Sequence, residues 1–249
     1  MPTSEEIKKR KGKGKLAVLT SYDYWTTIIL NDAGIDMILV GDSLGMVMLG
    51  YKNTLPVTME EMLHHTRAVV RGNKKALVVG DMPFMSDINV SEAVKNAGRF
   101  IKEGGAGAVK LEGGAKTKNI ISGAVDNGIP VMGHIGLTPQ DVLVLGGYKR
   151  QGDLDKLMKD ARAVQEAGAF CIVLECIPDK IAGQITAEIK IPTIGIGSGP
   201  SCDGQVLVTH DLLGLCPEIS PKFVKPYAGL KSDIIAAVTR WKDDINRKD

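Results

Sequence analysis

Met37-Ile-Leu-Val-Gly-Asp-Ser43 is an unbroken apolar run that gives way at its C-terminal end to an acid and a hydroxyl. A strand that is apolar at every position, rather than at alternate ones, is buried on both faces, as in a parallel sheet. The same kind of run recurs at Leu16-Ala-Val-Leu19, Ala76-Leu-Val-Val79, Ala108-Val-Lys-Leu111, Pro130-Val-Met132, Phe170-Cys-Ile-Val-Leu174, Pro192-Thr-Ile-Gly-Ile196 and Gln205-Val-Leu-Val208. Between the runs lie stretches with helical spacing. Thr58 and Glu61 form a capping box that predicts a helix to about Arg71. Ser91 opens an amphipathic stretch to Glu103, stopped by Gly104-Gly105, and further helices are predicted over 153–166, 178–189 and 230–246. This alternation in 249 residues predicts an α/β fold, a single-domain (β/α)8 TIM barrel over residues 1–249 with a short N-terminal helical extension. The alternative is a doubly wound open sheet. Against it, Gly195-Ile-Gly-Ser-Gly-Pro200 places a proline where a dinucleotide-binding helix should continue, and no G-x-G-x-x-G follows the first strand.

Composition narrows the functions open to such a barrel. The formal net charge of +2 lacks the basic surplus that neutralises phosphates, so no nucleic-acid partner is expected. Aromatic residues at 4% argue against stacking platforms for bases, and 44% hydrophobic residues exclude a disordered chain. Cys171, Cys176, Cys202 and Cys216 lack metal-site or disulfide spacing and read as reduced core thiols. Met1 to Lys15 is basic and polar, without a signal peptide's apolar segment, and no run is long enough to span a membrane. A cytoplasmic protein with no membrane partner is the expectation.

Barrel chemistry sits at the C-terminal ends of the strands. There the runs lead into Thr20-Ser-Tyr-Asp23, Asp42-Ser43, Asp81, Lys110 with Glu112, His134, Glu175, Ser198 and His210-Asp211. Asp42, Asp81 and Glu112 come from consecutive strands. Converging without a cation they would repel one another and raise at least one pKa, and a hard divalent ion, Mg²⁺ first, relieves that conflict. Each acid alone could instead cap the next helix. Lys110 and Glu112, two apart on one strand, point the same way. Lys110 can hold the carboxylate of an anionic substrate, form a Schiff base or pair with Glu112. Glu175 has apolar neighbours that partly desolvate it, the setting of a general base, although a capping or ion-paired role is also open. His134 reads as a donor to substrate, as an outer partner of the site or as a structural residue. Metal, anion-holding lysine and separate base together suit proton abstraction beside a carbonyl, with the metal stabilising an enolate.

Gly41-Asp-Ser-Leu-Gly-Met46, Leu55-Pro-Val-Thr-Met-Glu60 and Gly80-Asp-Met-Pro-Phe84 resemble the ketopantoate hydroxymethyltransferase (3-methyl-2-oxobutanoate hydroxymethyltransferase) family. So do Val109-Lys-Leu-Glu-Gly-Gly114, Gly133-His-Ile-Gly-Leu-Thr-Pro-Gln140, Leu174-Glu-Cys-Ile-Pro178, and Gly195-Ile-Gly197 with Asp203-Gly-Gln205. The resemblance runs in order from about Thr3 to Trp241. It implies transfer of a hydroxymethyl group from 5,10-methylenetetrahydrofolate to 3-methyl-2-oxobutanoate through a Mg-stabilised enolate, giving 2-dehydropantoate, the first step of pantothenate and coenzyme A synthesis. Position by position it implies Asp42, Asp81 and Glu112 as the Mg²⁺ site. It likewise implies Asp42, Ser43, Asp81 and Lys110 as contacts to the 2-oxo acid, and Glu175 as the proton acceptor. We add His134 to the expected substrate contacts. The family's (β/α)8 barrels assemble into large rings, so a homodecamer or other large homo-oligomer is implied. Ser198 stands where many members have a small residue such as alanine, a difference that bears on the folate side.

Three other readings can be set against this one. A carbon–carbon lyase or mutase of the phosphoenolpyruvate and pyruvate type needs a mobile loop with a reactive cysteine, and no cysteine lies between Met1 and Phe170. A phosphate-binding barrel would use Gly195 to Gly199 but leaves the three acids unexplained. A binding protein without turnover finds no lost catalytic position to support it.

Overall fold

The computed structural model describes residues 1–247. Eight parallel strands close into a barrel in sequence order: β1 (Leu16–Thr20), β2 (Met37–Val40), β3 (Leu77–Asp81), β4 (Ala108–Glu112), β5 (Val131–Gly136), β6 (Cys171–Glu175), β7 (Thr193–Ile196) and β8 (Gly204–Leu207). The chain divides into two compact units, Met1–Val206 and Leu207 onward.

In the first unit, α1 (Ser4–Lys8) precedes the barrel, and its Ile7 joins the apolar cluster formed by the inward-facing strand residues. Helices α2 (Tyr24–Asp32), α3 (Leu44–Val47), α4 (Met59–Gly72), α5 (Val90–Arg99), α6 (Lys118–Asp126), α7 (Val142–Leu145), α8 (Leu154–Glu166) and α9 (Asp179–Glu188) fill the connections up to β7. Thr58 and Glu61 make the expected capping box on α4, and Asp153 caps α8 through the Lys156 N–H. The start of α5 differs from the expectation: Asn89, not Ser91, is the cap, because its side-chain oxygen takes the Glu92 N–H at 3.0 Å. That helix ends in a π-helical turn, Phe100–Gly104, and Gly105 turns left-handed beyond it. Between β7 and β8 there is no helix; residues 197–203 cross directly.

The second unit carries α10 (Thr209–Leu212) and α11 (Leu230–Asn246). Its own backbone bonds, Tyr227 N–H to the Leu212 carbonyl and Leu230 N–H to the Leu213 carbonyl, tie the intervening loop to α10. No residue of α11 is buried, and Ile234, Ile235, Val238, Trp241 and Ile245 are all exposed. Among the described residues no helix is long and apolar enough to cross a membrane. All four cysteines are free; Cys171 and Cys202 are buried, while Cys176 and Cys216 are only partly so.

The period of two in a strand sorts the barrel's side chains into two sets. Ile38, Val40, Val78, Val109, Leu111, Val131, Ile172 and Leu174 join the cluster that includes helix residues such as Leu63, Phe100 and Val164. Leu16, Val18, Met37, Leu39, Leu77, Val79, Ala108, Met132, Cys171, Val173, Ile194 and Val206 fill the interior. The next inward positions up the strands are no longer apolar: Asp81, Lys110, Glu112, His134 and Glu175. Register brings them level. Asp81 lies opposite Lys110, Glu112 opposite His134, and Gly136 opposite Glu175.

Candidate active site

The polar end of the barrel is a buried charge network. Lys110 Nζ donates to Asp81 Oδ1 at 2.6 Å and to Glu112 Oε1 at 3.2 Å, with Lys110 only 4% exposed. Asp42, just beyond β2, lends its backbone N–H to Asp81 Oδ2 at 3.2 Å. One carboxylate oxygen from each of Asp42, Asp81 and Glu112 lies within 4.8 Å of the others, and all three residues are buried. His134 stands between two acids, with Nδ1 3.4 Å from Glu112 Oε1 and Nε2 3.2 Å from Glu175 Oε2. Glu175 is separated from the acidic trio by the width of that imidazole.

The electrostatics follow from burial and from the numbers of each charge. Burial pushes Asp42 well above the usual carboxylate range, and the neighbouring Asp81 and Glu112 push the same way. Burial also raises Asp81, against the pull of Lys110. Glu112 goes the other way: burial disfavours its charge, but Lys110 and His134 outweigh that and hold it at about 2. Burial works against the Lys110 ammonium as well, yet three acids around it raise its pKa above the ordinary lysine value. For His134, burial and Lys110 oppose protonation, while Glu112 and Glu175 bring the imidazole up to about 9. Lys110 and His134 therefore do not offset burial and mutual repulsion at all three acids, and Asp42 and Asp81 stay raised. Three converging buried oxygen donors, two of them with carboxyls pushed up by burial, suit a hard divalent ion.

Ser43 lies beside Asp42, and its hydroxyl shares a hydrogen bond of 2.9 Å with the buried Tyr22 phenol. Asp42, Ser43, Asp81, Lys110, Glu112, His134 and Glu175 thus gather at one end of the barrel. Asp23 does not join it; its carboxylate caps α2 by taking the Thr26 N–H at 2.9 Å. His210 and Asp211 fall on α10 in the second unit.

Comparison with known proteins places this arrangement. The family model for ketopantoate hydroxymethyltransferase matches residues 2–249. The chain belongs to the ketopantoate hydroxymethyltransferase family. Relatives named 3-methyl-2-oxobutanoate hydroxymethyltransferase include one from Carboxydothermus hydrogenoformans, 56% identical over 99% of this chain and 91% of its own length. Another, from Geobacter sulfurreducens, is 58% identical over 97% of this chain and 93% of its own. Solved structures share the fold at much lower identity. Phosphonopyruvate hydrolase in complex with oxalate and Mg²⁺ gives a TM-score of 0.68 at 12% identity, covering 88% of this chain and 84% of that one. A 2,3-dimethylmalate lyase of the PEP mutase/isocitrate lyase superfamily gives 0.63 at 15%, covering 99% of each.

Within this member of the hydroxymethyltransferase family, the structure adds residues that strand-end reading did not single out. Gln140, in the turn before α7, donates from Nε2 to Asp42 Oδ2 at 3.1 Å and to the Met82 carbonyl at 2.8 Å. Its backbone N–H reaches Glu112 Oε2 at 3.1 Å. One residue thereby ties together acids that come from β2 and β4. Tyr148 is the second addition: burial raises its phenol, and the charges of Asp42, Glu175 and Glu112 push the same way. The Ser198 hydroxyl is fully buried and bonded to backbone.

Proposed function

We propose that this chain transfers a hydroxymethyl group from 5,10-methylenetetrahydrofolate to 3-methyl-2-oxobutanoate, giving 2-dehydropantoate and so opening pantothenate synthesis. The observation that carries the reading is the separation of duties among the buried acids. Three of them converge on one point, while Glu175 is held apart from them by His134 at 3.2 Å. Names carried by relatives that are 56–58% identical over nearly the whole chain support the same reaction.

A divalent ion held by Asp42, Asp81 and Glu112, Mg²⁺ in this reading, supplies Lewis-acid withdrawal of electrons from the substrate's oxo group when bound. Lys110 has three donors and uses two on Asp81 and Glu112, leaving one to hold the substrate carboxylate. Ser43 and Asp81 complete the contacts to the oxo acid. Glu175 is the base: it takes the proton from C3, and the freed electron pair forms the new bond to the one-carbon unit opened as an iminium on the folate. In exchange the C–N bond between the one-carbon unit and the folate breaks: water supplies the oxygen of the product hydroxyl and a proton for the leaving nitrogen, and tetrahydrofolate departs. His134, brought up to about 9, stays cationic at neutral pH and holds Glu175 against the site, so that it orients the base as well as facing substrate.

Large rings of identical subunits, in the cytoplasm, are the assembly that family membership favours.

Proton exchange at C3 of 3-methyl-2-oxobutanoate in D₂O, followed by NMR with Mg²⁺ and then with EDTA, tests this reading. Exchange should need the metal and fall by about 10²- to 10⁴-fold in Glu175→Gln. Undiminished exchange in that variant would remove Glu175 as the base. Absence of both exchange and 2-dehydropantoate after adding the folate would overturn the transferase itself.

A further inference from the structure

Glu175 ends β6 on a strained piece of backbone. Cys176, which follows it, has φ +51°, in the left-handed region that residues with a Cβ avoid. Neighbouring strands pin this turn on both sides. The Glu175 carbonyl accepts the Leu137 N–H at 2.9 Å, and the Cys176 N–H donates to the Ile196 carbonyl at 2.8 Å. Gly136 allows the first of these approaches: it has φ +97°, and a Cβ there would lie 2.3 Å from the Glu175 carbonyl oxygen.

A third restraint comes from a side chain. Ser198 donates its hydroxyl to the Leu174 carbonyl at 2.7 Å and accepts the Ile177 N–H at 3.0 Å. One oxygen atom therefore joins the residue before Glu175 to the residue after Cys176. The loop is built to deliver it. Ser198 is 0% exposed and flanked by Gly197 at φ +61° and Gly199 at φ +77°. At Gly199 a Cβ would stand 2.3 Å from Asp179 Oδ1, so the loop packs directly on the start of α9.

We propose that Ser198, at a position where many family members carry a small residue such as alanine, is in this chain a positioning residue for proton abstraction: by spanning Leu174 to Ile177 its hydroxyl holds the left-handed Cys176 turn and thereby aims the Glu175 carboxylate. This rests on the reading of Glu175 as the base. Without the hydroxyl the Ile177 N–H loses its partner, and Cys176 can relax toward negative φ. That rotation moves the carboxylate one residue upstream. Misplacing a reacting group by a fraction of an ångström to about 1 Å costs up to about 10²-fold in rate.

The experiment measures Mg²⁺-supplied C3 exchange and steady-state turnover in the full-length wild type, Ser198→Ala, Cys176→Gly, the double variant and Glu175→Gln. Ser198→Ala should slow exchange and kcat roughly 10-fold with KM for the oxo acid unchanged, because Asp42, Ser43, Asp81 and Lys110 lie on other strands. In the Cys176→Gly background the same substitution should cost less than about threefold, since glycine holds positive φ without strain. Amide exchange at Ile177 supplies a readout independent of turnover: it should be faster in Ser198→Ala than in wild type. Equal fold losses in the two backgrounds, an unchanged rate in Ser198→Ala, or unchanged Ile177 protection would each overturn the proposal. Glu175→Gln separates the two levels. If it exchanges as fast as wild type, the base assignment fails; if it is inactive while Ser198→Ala is normal, only the role of Ser198 fails.

Discussion

Replacing Lys110 with methionine removes an ammonium bonded to two buried acids, and its cost can be worked from the distances. At an effective dielectric of about 20, contacts of 2.6 Å to Asp81 and 3.2 Å to Glu112 correspond to roughly 6 and 5 kcal/mol of attraction. Desolvating the ammonium returns several kcal/mol of that, and proton uptake by the trio relieves more, leaving about 3–5 kcal/mol for breaking a buried pair on one side. Methionine keeps the length of the aliphatic stem, so packing loss is small. Urea unfolding in EDTA at neutral pH should show the variant destabilised by that amount. Saturating Mg²⁺ should narrow the gap, because the added charge does the work of the lost one. Lowering the pH should narrow it too: acids whose folded pKa is raised contribute stability at low pH that is lost as pH rises through that value. A Lys110→Met protein within about 1 kcal/mol of wild type in EDTA would refute the claim that this lysine holds the acids together.

Three further outcomes follow from the same network and from the barrel seam. Gln140→Leu frees Asp42 from its side-chain donor and should weaken Mg²⁺ binding about 10- to 100-fold by calorimetry; an unchanged Kd would sink the role given to Gln140. Mg²⁺ affinity should fall as the solution is acidified, with proton release on binding, because proton and cation compete for the raised Asp42 carboxyl. A flat profile would contradict that competition. Asp203 accepts from Lys11 Nζ at 2.8 Å and from the Thr193 N–H at 2.9 Å; burial opposes its charge, but these donors hold it below its usual range. Asp203→Asn should therefore cost about 2 kcal/mol at neutral pH, a gap that closes as acid takes the wild-type carboxylate through its lowered pKa. Equal losses at neutral and strongly acidic pH would count against it.

The barrel was legible because burial on both faces leaves strands with continuous apolar runs, and all eight observed strands begin within two residues of a run's start and, apart from β5, finish within two residues of its end. β5 continues past Met132 to Gly136 because Gly133 and His134 pair with β4 and β6, which composition does not reveal. The inward acids were legible for a related reason. A charged residue at the end of an apolar run, as at Glu112 or Glu175, has the barrel mouth as its natural surroundings. Gln140 was not legible in this way, since it belongs to no strand and meets Asp42 across 98 positions of sequence. The bonding of the Ser198 hydroxyl was not legible either, because only the fold places the backbone of Leu174 and Ile177 beside it. The absent helix between β7 and β8 left no trace either, as a seven-residue crossing and a helical one both begin with Gly-rich sequence.

That bare crossing has a consequence for synthesis on the ribosome. Strand β1 bonds its far neighbour through Leu16 N–H to the Asp203 carbonyl, and Lys11 reaches the Asp203 carboxylate and the Thr186 carbonyl. At about 5–20 residues per second, the first strand waits roughly 10–40 s for the segment that seals it. Throughout that interval Leu16 and Val18 have only one neighbouring strand, and the nascent sheet carries an open parallel edge. The basic stretch around Lys8 to Lys15 sits immediately before that edge, where like charges on neighbouring nascent chains discourage them from pairing with it.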